Sequence, residues 1–459
     1  MLTSLQIQNF KAWRDTGRIR LAPLTVIFGA NSAGKSSLGH LLLALKQTAL
    51  SADRKRALHL GDDNSLIDLG TFRECVHQHD IERSLEFDLG WQLPNRLEVK
   101  DPVNGKRTTG SELRLNVSLK ARERTLQPYV QQMTYTLMEG EREALQARYF
   151  WEKGKPALET ENYRLVRNTG RAWPLEEPDK FYRISDQSRA RFQNAEFLAD
   201  FALQTEGMLT GIYYLGPLRD HPRRVYQWSG DSPESVGMRG ELTIAAILAA
   251  ASDGRKLNRG PNQRVQPFEQ FIARWLQELG VIDSFQVKPL SEGRKEYEVL
   301  VRTHKASAEV KISDVGFGVS QVLPALVQAF YCPPHSTVWM EQPEIHLHPQ
   351  VQSKLADVFI SAIQARENGK VRNVQMIIES HSEHFLYRLQ RRVAEGVLTP
   401  DDVAIYFCRR ANSTIELEPL EVNEGGDILN WPENFFGDEM EDIAARTIAN
   451  ARRKAKLAK

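Results

Sequence analysis

Cysteine is scarce in this 459-residue chain: Cys75, Cys332 and Cys408 lie far apart and show no metal-ligand spacing. A disulfide framework and a cysteine-based zinc site are excluded, and the thiols read as small buried hydrophobes in a reducing cytosol. Long hydrophobic runs are missing too. The longest, residues 244–251, falls far short of the ~20 apolar residues a membrane helix needs. The chain opens without a basic stretch ahead of an apolar one, so no secretory leader is expected and a cytoplasmic protein with no membrane contact is. Charge of one sign is lacking as well: 60 basic against 59 acidic residues leave a net charge of +1. Global attraction to nucleic acid or lipid is thereby excluded, and only a local patch could bind either. There is no low-complexity segment and no repeat. With 41% hydrophobic and 26% charged residues the composition is that of an ordinary globular protein, and its length argues for two or three lobes.

What is present is more informative. Residues 29–36 read Gly-Ala-Asn-Ser-Ala-Gly-Lys-Ser, a complete G-x-x-x-x-G-K-[ST] phosphate loop. An apolar run (Leu24, Thr25, Val26, Ile27, Phe28) enters it and a helical run from Leu38 to Leu45 leaves it. That context is what the chemistry requires: backbone N–H groups and a helix N-terminus must converge on phosphate oxygens. Gly29 and Gly34 let the backbone wrap the anion, and Ala30, Asn31, Ser32, Ala33 and Ser37 complete the cradle. Lys35 bridges the β- and γ-phosphates, and Ser36 binds Mg²⁺. A nucleoside triphosphate, ATP with Mg²⁺, is the expected ligand.

Period-two alternation from about Leu85 (Leu85, Leu113, Met133, Leu145 and Tyr163 each open such a stretch) predicts an antiparallel meander with one wet face. A helix is expected over 189–209. In the last third, strand and helix alternate, which predicts a parallel, helix-covered sheet. One of its strands, Val338-Trp339-Met340, runs straight into Glu341-Gln342-Pro343-Glu344-Ile345-His346-Leu347-His348-Pro349. An acid at the end of a buried strand is what a phosphate loop needs beside its Mg²⁺, so Ser36 and Glu341 form the expected metal pair. Lys35 stands near the start of the chain and Glu341 in its last third, so the site is assembled from both ends around an inserted middle.

These motifs resemble a split-head ABC-type ATPase of the OLD, RecF and SMC-like group, often described as AAA-type in bacteria. The resemblance rests on Leu5 to Lys11, on Pro23-Leu24-Thr25, on Asn31 to Ser37, on the Glu-Pro-Glu-x-His-Leu-His-Pro box with Gln342 in its first Glu position, and on His381 after a late strand. The tail Asn430-Trp431-Pro432-Glu433-Asn434-Phe435-Phe436-Gly437-Asp438-Glu439 resembles a C-terminal domain of unknown function. The family implies an acid followed by a catalytic Glu, and here Glu341 is followed by Gln342. Glutamine cannot take a proton from water, and a positioned base contributes roughly 10²–10⁴-fold. Two readings stand side by side. Gln342 orients the water in a slow, switch-like enzyme, or the base sits elsewhere, with Glu344 at hand. Residues 313–321 resemble the signature loop that caps the γ-phosphate of a second subunit, through Ser313, Gly316 and Gly318; an N-cap with a glycine turn is the plainer reading. His381 resembles the switch histidine. Glu344, His346 and His348 are read as a structural box rather than a zinc site. Arg219 is either a phosphate or partner contact or half of an ion pair.

The resemblance implies an α/β fold: an ABC-type P-loop ATPase head with a parallel core sheet, an antiparallel β subdomain and a helical lobe. Expected divisions are 1–90 (phosphate loop), 91–205 (β-rich insert, then helix), 206–312 (helical lobe and strands), 313–420 (signature-like loop, acid box, switch histidine) and 421–459 (tail with a basic end). It implies a slowly hydrolysing, ATP-gated dimer, or higher homo-oligomer, joined through the ATP sites. Such a switch would hold a separate effector, a nuclease or toxin, in bacterial anti-phage defence. The stretch after His381 reads as too short for a nuclease domain of its own. The alternative is a DNA-repair or chromosome-maintenance ATPase, with DNA as partner; against it, the heptad arms of SMC-like proteins are missing.

Overall fold

The computed structural model describes residues 1–30, 33–170, 173–291, 293–411, 414–432, 435 and 445–449. Asn31 and Ser32 of the loop, most of the tail motif after Pro432 and the basic run from Arg452 onward lie outside the described residues.

The fold is α/β, as expected. Six strands form the core sheet in the spatial order Ile212–Leu215, Thr337–Glu341, Gln375–Glu379, Leu24–Gly29, Val403–Ala411, Thr414–Leu420. The first five are parallel, and the last turns back as a hairpin. Every residue of Thr337–Glu341 and of Gln375–Glu379 is buried, which explains why these strands read as continuous apolar runs rather than alternating ones.

Alternation persists in where each side chain goes. Leu24, Val26, Phe28, Val338, Met340, Met376 and Ile378 face one hydrophobic core; Ile27, Trp339 and Ile377 face another. The parallel sheet is thus the wall between two cores. The first is closed by the helices Phe268–Leu279, Phe317–Tyr331, Pro349–Gln364 and Glu383–Ala394. Helix Phe268–Leu279 buries the expected stripe of Phe268, Phe271, Ile272, Trp275, Leu276 and Leu279, and Gly280 ends it at φ 79°. The second core holds the helix Lys35–Leu50, sandwiched beneath the antiparallel sheet.

That antiparallel sheet runs Trp13–Asp15, Leu2–Phe10, Leu85–Lys100, Arg107–Ala121, Pro128–Glu139, Arg142–Glu152, Lys155–Glu161. Because Leu2–Phe10 pairs with Leu85–Lys100 (Ile7 opposite Phe87), the N-terminal strand joins the inserted meander, and one strand crosses the expected division at 90/91. Two local expectations need correction. The last meander strand is Lys155–Glu161, not the stretch from Tyr163: Asn162 turns the chain at φ 60°, and Tyr163 instead sends its hydroxyl to the Asn194 carbonyl at 2.7 Å. The helix expected over 189–209 is two, Asp186–Ala190 and Phe197–Thr210. Between them Asn194 donates to Asp101 Oδ1 at 3.1 Å and accepts from Val166 N at 2.9 Å, contacts a continuous helix could not make. Among the described residues no helix is long and apolar enough to cross a membrane.

One contact ties helix to sheet. A Cβ built on Gly39 would stand 2.6 Å from the Trp339 indole. Gly39→Ala gains about 1 kcal/mol of helix propensity but overpacks the core at a cost of about 1–3 kcal/mol. A lower urea midpoint with altered tryptophan fluorescence is the expected outcome; a midpoint above wild type would show that the indole can step aside.

Candidate functional site

The strand Leu24–Gly29 delivers the chain to the loop and the helix Lys35–Leu50 leaves it. Gly29 has φ 145°, and a Cβ there would lie 2.4 Å from the Cys408 carbonyl oxygen. Gly34, at φ 76°, caps the helix. Both positions require glycine for conformation, and Gly29 requires it for space as well. Lys35 Nζ donates to the carbonyls of Gly29 (2.9 Å) and Ala30 (2.8 Å). The residue is 5% exposed, and burial lowers its pKa against the opposing pull of Glu379, Cys408, Glu341 and Glu344. Ser37, in the first helical turn, donates to the Gly34 carbonyl and accepts from Trp13 Nε1 at 2.8 Å, a tether from the N-terminal hairpin.

The acids come from two adjacent strands, and in the parallel register Glu341 stands directly beside Glu379. Trp339, two residues before Glu341, and Ile377, two before Glu379, face the core that holds the loop helix, so both carboxylates share that face. Ser36 Oγ donates to Glu379 Oε2 at 2.9 Å, and Trp339 Nε1 donates to Glu379 Oε1 at 2.9 Å. Glu341 Oε1 instead accepts from the Tyr214 hydroxyl at 2.5 Å and lies 3.8 Å from His40 Nε2. Burial first, then Glu341, pushes Glu379 up to about 8; burial likewise lowers His40. The serine expected to pair with Glu341 is therefore bonded to an acid that motif reading passed over. A signal for it existed: residues 376–379, like 338–341, are three apolar residues ending in a carboxylate.

After Glu341 the chain turns sharply. Gln342 holds φ 44°, and its N–H donates to the Glu379 carbonyl at 2.9 Å. Glu344 is buried; its Oε1 accepts from Ser380 Oγ (2.9 Å) and from the N–H of His381 (2.7 Å), and burial raises its pKa. The box thus clamps the turn that presents His381. Burial, and then Lys35, lower the His381 imidazole to about 4. His346 and His348 are exposed, and His348 accepts from Gln350 N to cap the helix Pro349–Gln364. Buried polar atoms here without a hydrogen-bond partner among the described residues include His381 Nε2, Glu344 Oε2 and Arg219 Nε. Arg219 is 7% exposed, donates to the Glu341 carbonyl at 3.2 Å and is lowered to about 10 by burial; its NH1 is also without a partner among the described residues.

The signature-like residues stand apart from this cluster. Ser313 sits in the short turn Ile312–Asp314 and donates to Asp314, which pairs with Arg224 at 2.8 Å. Gly316 is exposed at the cap of helix Phe317–Tyr331, and Gly318 lies beside Leu347 of the box.

Residues 262–386 match the family described as AAA ATPase domain, and residues 398–445 match a protein family of unknown function, DUF3696. The matched stretch, which carries Glu341, Glu379 and His381, is similar to an AAA-type ATPase domain. The DUF3696 segment joins the core sheet: its strand Val403–Ala411 pairs with the phosphate-loop strand, Cys408 opposite Gly29. A search of curated proteins finds no match. Similar solved structures include an Smc head bound to the C-terminal winged-helix domain of ScpA (11% identity, 92% of this chain and 98% of that one, TM-score 0.41). The SMC head domain from Thermotoga maritima is another (12%, 92% and 99%, 0.39).

The His381 shift has a measurable consequence for stability and titration. With an ordinary value near 6.5 in the unfolded chain and about 4 when folded, His381 stays neutral at physiological pH. As pH falls through the window from about 6.5 to about 4, the unfolded state takes up a proton the folded state refuses, so this group's contribution to stability declines. An NMR titration should find its imidazole signal constant from about pH 8 to about pH 5.5; a midpoint near 6.5 would contradict the buried placement.

Proposed function

We propose that the chain is an ATP-binding, slowly hydrolysing dimeric switch. Gly29, Ala30, Asn31, Ser32, Ala33, Gly34, Lys35, Ser36 and Ser37 hold the phosphates. The site's hydroxyl and carboxylates are hard oxygen donors next to an ammonium, a set that fits Mg²⁺. When bound, Mg²⁺ supplies charge neutralisation of the phosphates. Lys35 compensates the remaining negative charge, and Glu341 stays anchored by Tyr214. Gln342, lacking a carboxylate, orients water without accepting its proton, which keeps turnover slow. His381 and Arg219 present donors to the terminal phosphate.

The observation that carries the reading is the convergence of four separate elements on one loop: the helix start with Lys35 and Ser36, the strand end with Glu341, the strand end with Glu379, and the turn with His381. The exposed helix cap at Gly316 supports a dimer in which it, with Ser313 and Gly318, would cover the phosphate bound by a second copy. The effector that such a switch would hold, a nuclease or toxin in anti-phage defence, is carried by the sequence resemblance alone.

Light scattering with and without Mg-ATP tests this. Association on adding Mg-ATP, abolished by Lys35→Ala, is the expected result. A strict monomer in both states would sink the role given to Ser313, Gly316 and Gly318, and Lys35→Ala that still responds to ATP would sink the loop assignment.

A further inference from the structure

We infer that Glu379 is a magnesium acid of this site, acting beside Ser36, so that the carboxylate duty the strand-end motif gives to Glu341 is shared by two neighbouring strands. The inference rests on the reading of the loop as a Mg-ATP site.

Four observations lead to it. First, Ser36, the loop hydroxyl placed to meet the metal, gives its hydrogen bond to Glu379 Oε2 at 2.9 Å. A cation that takes the serine oxygen as a ligand meets this carboxylate oxygen in the same place. Second, Glu341 is already engaged: Tyr214 holds its Oε1 at 2.5 Å, His40 stands 3.8 Å away, and Arg219 holds its backbone carbonyl at 3.2 Å. Third, Glu379 is aimed. Trp339 Nε1 holds Oε1, and the indole lies against Gly39 of the loop helix, which leaves Oε2 turned to Ser36. This is how an outer partner fixes a metal-binding carboxylate. Fourth, Glu379 is 1% exposed and sits abreast of a second buried carboxylate. The nearest ammonium, Lys35, bonds the carbonyls of Gly29 and Ala30 and no carboxylate oxygen. Two adjacent buried carboxylates, with one oxygen held by the serine hydroxyl that a metal would take as a ligand, form a pocket for a small divalent cation.

The test is a Mg²⁺ titration of binding of a fluorescent ATP analogue, run in parallel in EDTA, for wild type, Glu379→Gln and Lys35→Ala. Glu379→Gln should raise the Mg²⁺ midpoint about tenfold or more while binding in EDTA is no weaker than wild type, because a negative charge near the phosphates has gone. An unchanged Mg²⁺ midpoint overturns the inference and leaves the ATP reading intact. Wild type that binds no analogue, like Lys35→Ala, would sink the ATP reading itself. Should Glu379→Gln fail to fold by circular dichroism, Glu379→Asp keeps the charge and withdraws it by one methylene. A raised midpoint in that variant supports the inference and an unchanged one rejects it.

Discussion

Two buried carboxylates held side by side at the ends of neighbouring parallel strands set the terms for everything around them. Glu341 and Glu379 are paired by register, so neither can move away without unzipping the sheet. Like charges so placed are costly in a buried site. The surrounding structure answers with donors from three directions. The helix gives Ser36 and His40, four residues apart and hence on one face, the first addressing Glu379 and the second Glu341. The edge strand gives Tyr214, and the strand of Glu341 itself gives Trp339, whose register partner is that same Tyr214. Each donor is selective for one carboxylate, so the pair is kept as two distinct groups.

The same sheet explains why the protein is closed from both ends. The phosphate-loop strand has neighbours from the last third of the chain on both sides: Gln375–Glu379 on one, Val403–Ala411 on the other. The second neighbour belongs to the segment of unknown function. That segment reaches further still: Phe435 packs edge-on against Phe28 (5.8 Å between ring centroids) and Phe407 (4.6 Å). Phe28 is the last residue before Gly29, and the Cys408 carbonyl leaves no room for a side chain at Gly29. The loop strand and the C-terminal segment are thus in direct packing contact.

Much of this was legible. The loop, its strand and helix, the alternation in the last third and the acid at Glu341 all follow from local pattern, because a glycine-lysine turn and a buried apolar strand have few other solutions. Glu379 was not singled out, although its strand carries the same signature as that of Glu341. The motif supplied a place for one acid, and only the strand order, with Gln375–Glu379 between Thr337–Glu341 and the loop strand, brings the second to Ser36. The stretch from Tyr163 departs from its alternating pattern for a related reason. Its alternation is real, but Asn162 and Asn194 redirect the backbone through side-chain and turn geometry that periodicity does not encode. Tertiary donors such as Tyr214, His40 and Trp13 carry no local signal at all.

What the donors around the carboxylates satisfy, the opposite side of the loop leaves open. His381 Nε2, Arg219 Nε and NH1, and Glu344 Oε2 are buried and unpaired among the described residues. Each such group costs about 1–3 kcal/mol, and a fold selected for stability alone would pair or replace them. They are instead held rigidly. Glu344 spends its other oxygen on Ser380 and the His381 N–H, and Arg219 spends one nitrogen on the Glu341 carbonyl. Fixed position combined with unused hydrogen-bonding capacity is what preorganisation means. The named carboxylate oxygens are held by neutral donors and the His381–Arg219 side keeps hydrogen-bonding capacity unused, an arrangement suited to a ligand that brings acceptors to the arginine and a cation to the acids.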